Sequence, residues 1–330
     1  MLAQRLTPTG HGHRRSQALV VCLESARMSR RAAPASFWHP RFWPTWIGIA
    51  LLRLCALLPY RPMMAVGRVV GRIGMAFAGR RRHFVATNLH LCFPELDEAA
   101  RQALARRHFE AVGMAFMDFA IAWWWPDERI YPLVTIDGQE HIETAMARGR
   151  GAIFLTAHFT SIEISGRLLV KLCPALPMYR PNANPLLEKI MVEHRERHVE
   201  RTIPRSDVRL MVRALKDGKG VWFAPDQNFG GKGCVFAPFF GIAASSNPSL
   251  SRFAEMTGAA VVPFIVFRRP EGGYHMIVEP ALDPFPSGDS TADITTYNEI
   301  TERWVRHAPA QYNWLHRRFK KRPPGEPPLY

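Results

Sequence analysis

The sequence predicts an α/β fold in which a largely parallel, mixed sheet is flanked by helices. Two observations carry this prediction. From about residue 130 onward, short apolar and β-branched runs alternate with helical patterns, as expected of successive strand and helix units. The polar side chains that stand out follow directly after the apolar runs, and sites in such sheets gather at the carboxyl ends of strands. The 330 residues show no internal repeat and could form one large domain or two.

Residues 1–36 form the first segment, and their composition differs from that of the rest. They are polar and rich in Arg, with Gly, Pro, Ser and Ala mixed in, which is typical of a disordered basic tail. Met28 begins the sequence Met-Ser-Arg-Arg and would serve equally well as a start. One hypothesis is therefore that the residues before Met28 are an over-extended reading frame, and we assign them no function.

Residues 37–64 are interpreted as a membrane-anchor or interfacial segment. Five aromatic residues occur in its first ten positions, and such belts are typical of membrane–water interfaces. The apolar run Trp46–Leu58 follows, interrupted only by Arg53. This run is shorter than the roughly 20 residues that a spanning helix needs. A tilted span continuing to Met64, a monotopic helix and a buried amphipathic helix of a soluble protein all remain open.

Residues 65–330 are predicted to form the main domain, which begins with helices. A helical pattern over 64–79 precedes Arg80-Arg81-Arg82-His83, a run that suits anionic headgroups or a solvated helix end. Residues 94–125 are interpreted as two helices, the first ending near Arg107 and the second rich in Met and aromatic residues. This second stripe fits a core face or a groove for a fatty chain.

The remaining elements alternate along the chain. Strands are predicted at 133–136, 152–157, 175–179, 220–225, 260–267 and 274–279. Helices are predicted at 139–148, 161–173, 185–199, 206–217, 246–257 and 291–307. Ser206 and Asp207 provide capping chemistry for one of these helices, and Gly218 suits its end.

The charge and the cysteines limit the function classes. A formal net charge of +15 implies an anionic partner, which could be nucleic acid, an acidic membrane or a phosphorylated substrate. Nucleic acid is disfavoured because no recognised binding motif accompanies the charge. The 5 cysteines lie far apart without a Cys-x-x-Cys pair, so neither a zinc knuckle nor a disulfide framework is indicated. This usage fits a reducing compartment.

His158 and Glu163 are the first candidate catalytic residues. His158 ends an apolar, β-branched run, and Glu163 follows five residues later where a helical pattern begins. A carboxylate in that position can hold one ring N–H of the histidine and leave the other nitrogen free to take a proton. The pair therefore predicts an enzyme that activates a hydroxyl, although a lone histidine after a strand is more often structural.

Two further strand ends carry polar candidates. Arg180 follows one predicted strand, while Asp226 and Gln227 follow another and precede a Gly-rich loop with Lys232. Three such ends in consecutive units strengthen the case for one site. The loop lacks the spacing of a phosphate-binding P-loop, and neither Gly-x-Ser-x-Gly nor His-Glu-x-x-His occurs, so no serine-hydrolase or metal site is predicted.

These residues resemble the late acyltransferases of lipid A biosynthesis, the lauroyl/myristoyl transferase group of Gram-negative bacteria. The resemblance runs from Phe37 to the C-terminus and is closest to the lauroyl-type enzymes. Its marks are Phe-Trp-His-Pro-Arg-Phe-Trp-Pro at 37–44, His-x4-Glu at 158–163, Tyr-Arg-Pro at 179–181, Ala-Pro-Asp-Gln at 224–227, Val-Phe-Ala-Pro-Phe-Phe-Gly at 235–241, Thr-Gly-Ala-Ala-Val-Val-Pro-Phe at 257–264 and Trp-Leu-His-Arg-Arg-Phe-Lys-Lys-Arg-Pro at 314–323.

The resemblance implies a glycerolipid-acyltransferase-like domain on the cytoplasmic face of the inner membrane. It implies transfer of a fatty acyl group from acyl carrier protein to the hydroxyl of a 3-hydroxyacyl chain on the Kdo-bearing lipid A precursor. His158 would take the hydroxyl proton and Glu163 would orient the imidazole, with no metal or cofactor. Arg180 would stabilise the oxyanion or bind an acceptor phosphate, and Asp226 would organise the site.

The expected partners are acyl carrier protein, the lipid A precursor and anionic inner-membrane lipids. A basic surface suited to them is predicted near the C-terminus, with Trp314 and Phe319 resting on lipid. This surface comprises Arg317, Arg318, Lys320, Lys321 and Arg322. Two alternatives remain at this point: a related acyltransferase acting on another glycolipid or glycerolipid, and a non-catalytic basic membrane protein that binds anionic lipid.

Overall fold

The computed structural model describes residues 37–330. The predicted tail, residues 1–36, lies outside the described residues. The chain divides into two compact units, with the boundary between Trp46 and Ile47. In the described part of the first unit, the indole of Trp38 stacks on that of Trp46 at 5.8 Å, and the Trp46 indole N–H donates to the Phe37 carbonyl at 2.8 Å.

The part of the chain described contains eleven α-helices. They are α1 (Trp43–Cys55), α2 (Tyr60–Phe77), α3 (Gly79–Cys92), α4 (Glu98–Trp124), α5 (Asp127–Ile130), α6 (Gln139–Ala147), α7 (Ile162–Leu172), α8 (Pro185–Arg195), α9 (Val208–Lys216), α10 (Ser249–Thr257) and α11 (Ser290–His307). Local chemistry sets several of their ends. The carboxylate of Asp207 accepts the Leu210 N–H at 3.0 Å to cap α9, and Gly218 follows this helix with a φ of +76°.

The strands form one seven-stranded mixed sheet and one hairpin. They are β1 (Val134–Asp137), β2 (Ala152–Leu155), β3 (Ala175–Tyr179), β4 (Ile203–Pro204), β5 (Gly220–Phe223), β6 (Val235–Phe239), β7 (Ile242–Ser246), β8 (Ala260–Arg268) and β9 (Tyr274–Val278). The sheet order is β1-β9-β8-β2-β5-β3-β4, and only the pairing of β8 with β9 is antiparallel. Strands β6 and β7 pair with each other as the hairpin.

The central strands are buried on both faces, which explains their unbroken apolar sequences. Every residue of β2 and β5 is buried. Ile153 and Leu155 pack in an apolar core with residues of α9 and α10, including Met211 and Phe253. On the other face, the Trp222 ring lies so close to Gly166 of α7 that a Cβ atom there would come within 2.5 Å of it. Helices therefore flank the sheet on both sides, as the sequence predicts.

The prediction of six strands and six helices between residues 133 and 307 agrees with the structure to within a few residues at each end. Three strands were missed: the short strand β4 and the two strands of the hairpin, β6 and β7. The hairpin carries Pro238 and Gly241, and this short antiparallel pair of strands tolerates proline.

The prediction of two helices over 94–125 is wrong. The structure has a single helix, α4, of 27 residues, capped by Asp97, whose carboxylate accepts the Ala100 N–H at 2.7 Å. It continues through Gly113 because that glycine packs directly on α2. A Cβ atom on Gly113 would lie 2.0 Å from the Gly67 carbonyl oxygen, so the close contact between the two helices requires glycine there.

The predicted spanning form of the N-terminal anchor is not found in the structure. Within residues 37–330, no helix combines the length and the apolar character that crossing a bilayer requires. The apolar run forms α1, which has 13 residues, and the chain then turns before Pro59 precedes α2.

Candidate active site

Strand register brings His158 and Asp226 together. Strands β2 and β5 are parallel neighbours, and Leu155 pairs with Phe223 at their carboxyl ends. His158 lies three residues after Leu155, and Asp226 lies three residues after Phe223. The two side chains therefore leave the same edge of the sheet side by side, at the position where parallel sheets carry their sites.

The carboxylate of Asp226 holds His158 at two points. Its Oδ1 lies 2.5 Å from the imidazole Nδ1, and its Oδ2 accepts the His158 backbone N–H at 3.0 Å. Asp226 is almost fully buried, with 3% of its side chain exposed, whereas 31% of the His158 side chain remains exposed. The arrangement fixes the proton of neutral His158 on Nδ1 and leaves Nε2 as the free acceptor.

The two partners shift each other's pKa. Burial acts to lower the pKa of His158, but the charge and hydrogen bond of Asp226 outweigh it and raise that pKa above its ordinary value. Burial acts to raise the pKa of Asp226, but the charge of His158 and its two hydrogen bonds hold it below the ordinary range. The carboxylate thus stays charged and makes His158 a stronger base.

The predicted pairing of His158 with Glu163 is corrected by this geometry, because Glu163 binds other groups. Its carboxylate accepts from Arg195 twice, from Nε at 3.1 Å and from Nη2 at 2.6 Å. It also accepts from the Trp123 indole N–H at 3.0 Å. Glu163 and Arg195 form a buried ion pair, and the charge of Glu163 raises the pKa of Arg195 against the opposing effect of burial.

Arg195 was not predicted from the sequence. It is the last residue of α8 and lies in a stretch where arginines are frequent, so no spacing distinguishes it from its neighbours. Only the tertiary structure shows which arginine reaches Glu163: Arg195 does, next to His194, whose ring stacks on Trp123 of α4 at 4.8 Å.

The segment after α11 forms the other wall of the site. The Asn313 N–H donates to the His158 carbonyl at 2.9 Å, and the Asn228 N–H donates to Nε2 of His316 at 3.0 Å. Burial lowers the pKa of His316 to about 4, so this histidine is neutral and accepts the bond. The pocket is narrow, without room for a water molecule in this structure, and is lined by Asn88, His158, Asp226, Gln227, Tyr312, Asn313, Trp314, His316 and Arg318. The only sequence signal for His316 was its place within a basic motif.

Of the other predicted site residues, one lines the pocket of His158 and two lie outside it. Gln227 lines the pocket of His158. Arg180 is exposed and lies after β3, which is separated from β2 by β5, so it does not line this pocket. Lys232 is exposed in the loop before β6 and does not line it either.

The predicted basic surface at residues 317–322 requires correction. Arg318 is buried and donates to the Ser245 carbonyl at 2.9 Å and to the Ser246 hydroxyl at 2.8 Å. Lys321 and Arg322 are half-buried and donate to Cys234 and to the Ala243 carbonyl, at 2.9 Å and 2.8 Å. These three cations fasten the C-terminal segment to the hairpin. Trp314 and Phe319, expected on a lipid-facing surface, are instead fully buried.

A second pocket adjoins Glu163. Its cavity volume is about 30 Å³, room for about one water molecule, and its wall is mostly apolar. The lining residues include Ala122, Trp123, Glu163, Gly166, Leu169, Val170, Ala175, Pro177, His194, Arg195, Val199 and Trp222. The cavity is too small to hold a hydrocarbon chain in this structure, but its apolar wall ends at the Glu163–Arg195 ion pair.

No group of three or more His, Cys, Asp or Glu side chains in residues 37–330 is arranged to hold a metal ion. The site holds His158 with Asp226 behind it, and Glu163, ion-paired with Arg195, lies nearby at the start of α7. A fixed neutral imidazole with a buried carboxylate behind it can remove a proton from a hydroxyl and return it to a leaving group.

Comparisons with known proteins match the chain over most of its length. The family model for bacterial lipid A biosynthesis acyltransferases matches residues 32–321. The lipid A biosynthesis lauroyltransferase of Escherichia coli (strain K12) is 39% identical over 294 residues, which are 88% of this chain and 96% of that protein. The palmitoleoyltransferase of lipid A biosynthesis from the same strain is 37% identical over 299 residues, 89% of this chain and 96% of that protein.

Among solved structures, the 1-acyl-sn-glycerophosphate acyltransferase of Thermotoga maritima aligns with 73% of this chain and 99% of its own. The TM-score is 0.36 and the sequence identity 17%.

Proposed function

Because the chain belongs to the bacterial lipid A biosynthesis acyltransferase family and is an acyltransferase, we propose that it performs a late acylation of lipid A. In the proposed reaction, a fatty acyl group moves from acyl carrier protein to the hydroxyl of a 3-hydroxyacyl chain on the Kdo-bearing lipid A precursor. The observation that carries the proposal is the family match over residues 32–321, which contains every residue of the candidate site.

The proposed mechanism is a single displacement with His158 as general base. Nε2 of His158 takes the proton of the acceptor hydroxyl while the hydroxyl oxygen attacks the thioester carbonyl carbon. A C–O bond forms, the C–S bond breaks, and the leaving thiolate takes the proton back from the imidazolium. Asp226 keeps Nδ1 protonated and stabilises the imidazolium while it exists, which the 2.5 Å contact supports.

The Glu163–Arg195 pair is proposed to define the end of the acyl site. The apolar lining of the adjoining pocket supports a place for the hydrocarbon chain of the donor, and the pocket must widen from about 30 Å³ to admit it. The two Escherichia coli relatives, whose names specify a lauroyl and a palmitoleoyl group, are almost equally similar to this chain. Similarity alone therefore leaves the transferred chain open, and the lauroyl group is our first choice because of the sequence pattern.

The test is acyl transfer by the purified full-length protein in detergent. Lauroyl-, myristoyl- and palmitoleoyl-acyl carrier protein are offered separately with the Kdo-bearing tetraacyl precursor, and mass spectrometry detects the product. We expect the mass gain of one acyl group with at least one donor. A lysophospholipid acceptor is the matched alternative: transfer to it, with none to the lipid A precursor, would overturn the proposal in favour of a glycerolipid enzyme.

The proposal includes attachment to the inner surface of the inner membrane through an interfacial face. Val66, Val69, Val70, Ile73 and Phe77 are all exposed and recur on one side of α2, and this set is named the apolar stripe. Phe77 is 86% exposed. Helix α1 adds the exposed Ile47, Leu51 and Leu54 and buries none of its own residues. Apolar faces of this kind in consecutive helices support contact with lipid.

Replacing Val70 and Ile73 together by Asp is expected to weaken binding to vesicles at least tenfold. Each side chain loses the free energy of burial in the bilayer interface, about 1.5–3 kcal/mol when burial is complete. Co-flotation of the full-length protein with vesicles containing anionic phospholipid measures the effect. Met256→Asp is the matched control, because Met256 is an equally exposed apolar residue of α10 outside the stripe. Equal losses in both variants would contradict the proposed attachment.

A further inference from the structure

We propose that three arginines beside the active-site pocket form a binding site for a phosphate group of the acyl acceptor. This inference rests on the proposed function and deepens it. Arg80 and Arg81 at the start of α3 and Arg317 after α11 all lie against the ring of Phe84. Their guanidinium carbons are 5.6, 5.8 and 5.0 Å from its centroid. These three residues are named the arginine cluster.

The arginine cluster has no carboxylate partner among residues 37–330. None of its members forms an ion pair there, and Arg80 and Arg81 are exposed while Arg317 is half-buried. Some other exposed arginines of the domain have acidic partners, while others, including Arg82 and Arg180, form no ion pair within residues 37–330 either. The pairs are Arg72 with Glu110, Arg303 with Glu279 and Arg306 with Glu95. Three cations that converge on one ring without an anion leave room for an anion from outside the chain.

Stability of α3 does not account for these charges. The helix has no acidic residue in its first turn, and arginines at this end oppose the helix dipole instead of complementing it. The cation–π contacts with Phe84 hold the guanidinium groups in place, since Phe84 is buried and cannot move away. The cluster also combines two segments far apart in sequence, the start of α3 and the segment after α11. It is therefore more than a run of consecutive charged residues.

The arginine cluster is attached to the wall of the active-site pocket. Nη1 of Arg81 donates to the Leu315 carbonyl at 2.9 Å, and Arg317 directly follows His316, which lines the pocket. One helical turn after Phe84, the amide of Asn88 donates to the carbonyls of Trp314 and His316, at 2.8 and 2.9 Å. The cluster and His158 are therefore held by the same C-terminal segment, on which an acceptor bound at His158 would lie.

Phosphate is the anion that this geometry suits. Guanidinium groups offer paired N–H donors that match phosphate oxygens, and three of them lie 5.0 to 5.8 Å from the centroid of one ring. The apolar stripe of α2 ends at Phe77, three residues before Arg80. An amphiphile whose chains lie along the stripe would have its head group at the level of the cluster, and the acceptor of the proposed reaction is a phosphorylated glycolipid. We therefore assign the site to the acceptor.

The test compares Arg81→Gln and Arg317→Gln with Arg82→Gln in the acyl-transfer assay. Arg82 lies in the same helical turn and loses the same charge, but it has no contact with Phe84. Each variant is assayed with the phosphorylated precursor and with a precursor from which the phosphates have been removed. We expect the two cluster variants to raise KM for the phosphorylated acceptor about 10–100-fold, which is the loss of a charge-assisted contact. We expect KM for the acyl donor to stay within about twofold of the wild-type value.

The phosphate-free acceptor supplies the decisive comparison. With it, wild type and both cluster variants should have the same KM, because no phosphate remains to be bound. Equal KM increases with both acceptors, or an equal effect of Arg82→Gln, would overturn the assignment. Equal losses of binding to anionic phospholipid vesicles by all three variants, without a change in acceptor KM, would show general attraction to the membrane instead. Wild-type protein that acylates neither acceptor would refute the proposed function itself, which is a distinct result.

Discussion

Replacing His158 by Ala is expected to lower kcat for acyl transfer about 10²–10⁴-fold. The reason is that Nε2 is the unpaired acceptor of the site, while Nδ1 and the backbone N–H of the same residue are both occupied by Asp226. Without Nε2, the acceptor hydroxyl must attack with its proton in place. The measurement is the initial rate of product formation at saturating donor and acceptor, read by mass spectrometry.

The matched control for this variant is His275→Ala. His275 also pairs with an aspartate, Asp137, at 2.7 Å, but this pair lies on β9 and β1 and lines no part of the pocket. We expect the control to keep the wild-type kcat. A His158→Ala protein with an unchanged melting temperature and more than a tenth of the wild-type kcat would refute the role of His158 as general base.

Replacing Asp226 by Asn is expected to lower kcat by a similar factor, about 10²–10⁴-fold, and to shift the pH dependence of the remaining activity. The amide has no negative charge to stabilise the imidazolium, and its NH₂ group can donate to Nδ1 and so select the wrong tautomer. The shift follows from the pKa of His158. Burial lowers that pKa, and Asp226 raises it above the ordinary value of 6.5.

The sign of the pH effect is fixed by the role of His158 as a base. Only the neutral imidazole accepts a proton, so kcat/KM rises with pH through the pKa of His158 in the free enzyme. Without the charge of Asp226, burial dominates and this pKa falls. The rising limb of the Asp226→Asn profile should therefore lie at lower pH than that of the wild type. The pH profiles of kcat/KM for the wild type and for Asp226→Asn, recorded between about pH 5 and 9, locate the rising limb of each protein.

Glu163→Gln distinguishes the structural pairing from the one predicted by sequence. Glu163 binds Arg195 and Trp123, not the imidazole, so its replacement should leave the rising limb at the wild-type pH. It should still reduce activity, because Arg195 would lose its charged partner. If the rising limb of the kcat/KM profile shifts in Glu163→Gln but not in Asp226→Asn, His158 pairs with Glu163. That result would support the sequence prediction and contradict the geometry.

The alternation of strands and helices after residue 130 was readable from the sequence for a physical reason. The central strands are buried on both faces, so their sequences are unbroken apolar runs, and the intervening helices carry their own capping residues, such as Asp207. The N-terminal half was harder to predict. Whether residues 94–125 form one helix or two depends on the contact of Gly113 with Gly67 and Gly71, and a single sequence does not show which glycines meet.

The sequence by itself determined that polar residues follow the strands, and it identified His158, Glu163 and Asp226 as candidates. Which of the two carboxylates faces the histidine was decided by tertiary structure. Proximity along the chain favoured Glu163, but the parallel pairing of Leu155 with Phe223 brings Asp226 alongside His158, and α8 brings Arg195 to Glu163. In the same way, the basic C-terminal motif was evident from composition, but only packing showed that Arg318 is buried while Arg317 joins two arginines of α3. Strand order and helix packing join residues far apart in the chain, and neither is encoded in local spacing.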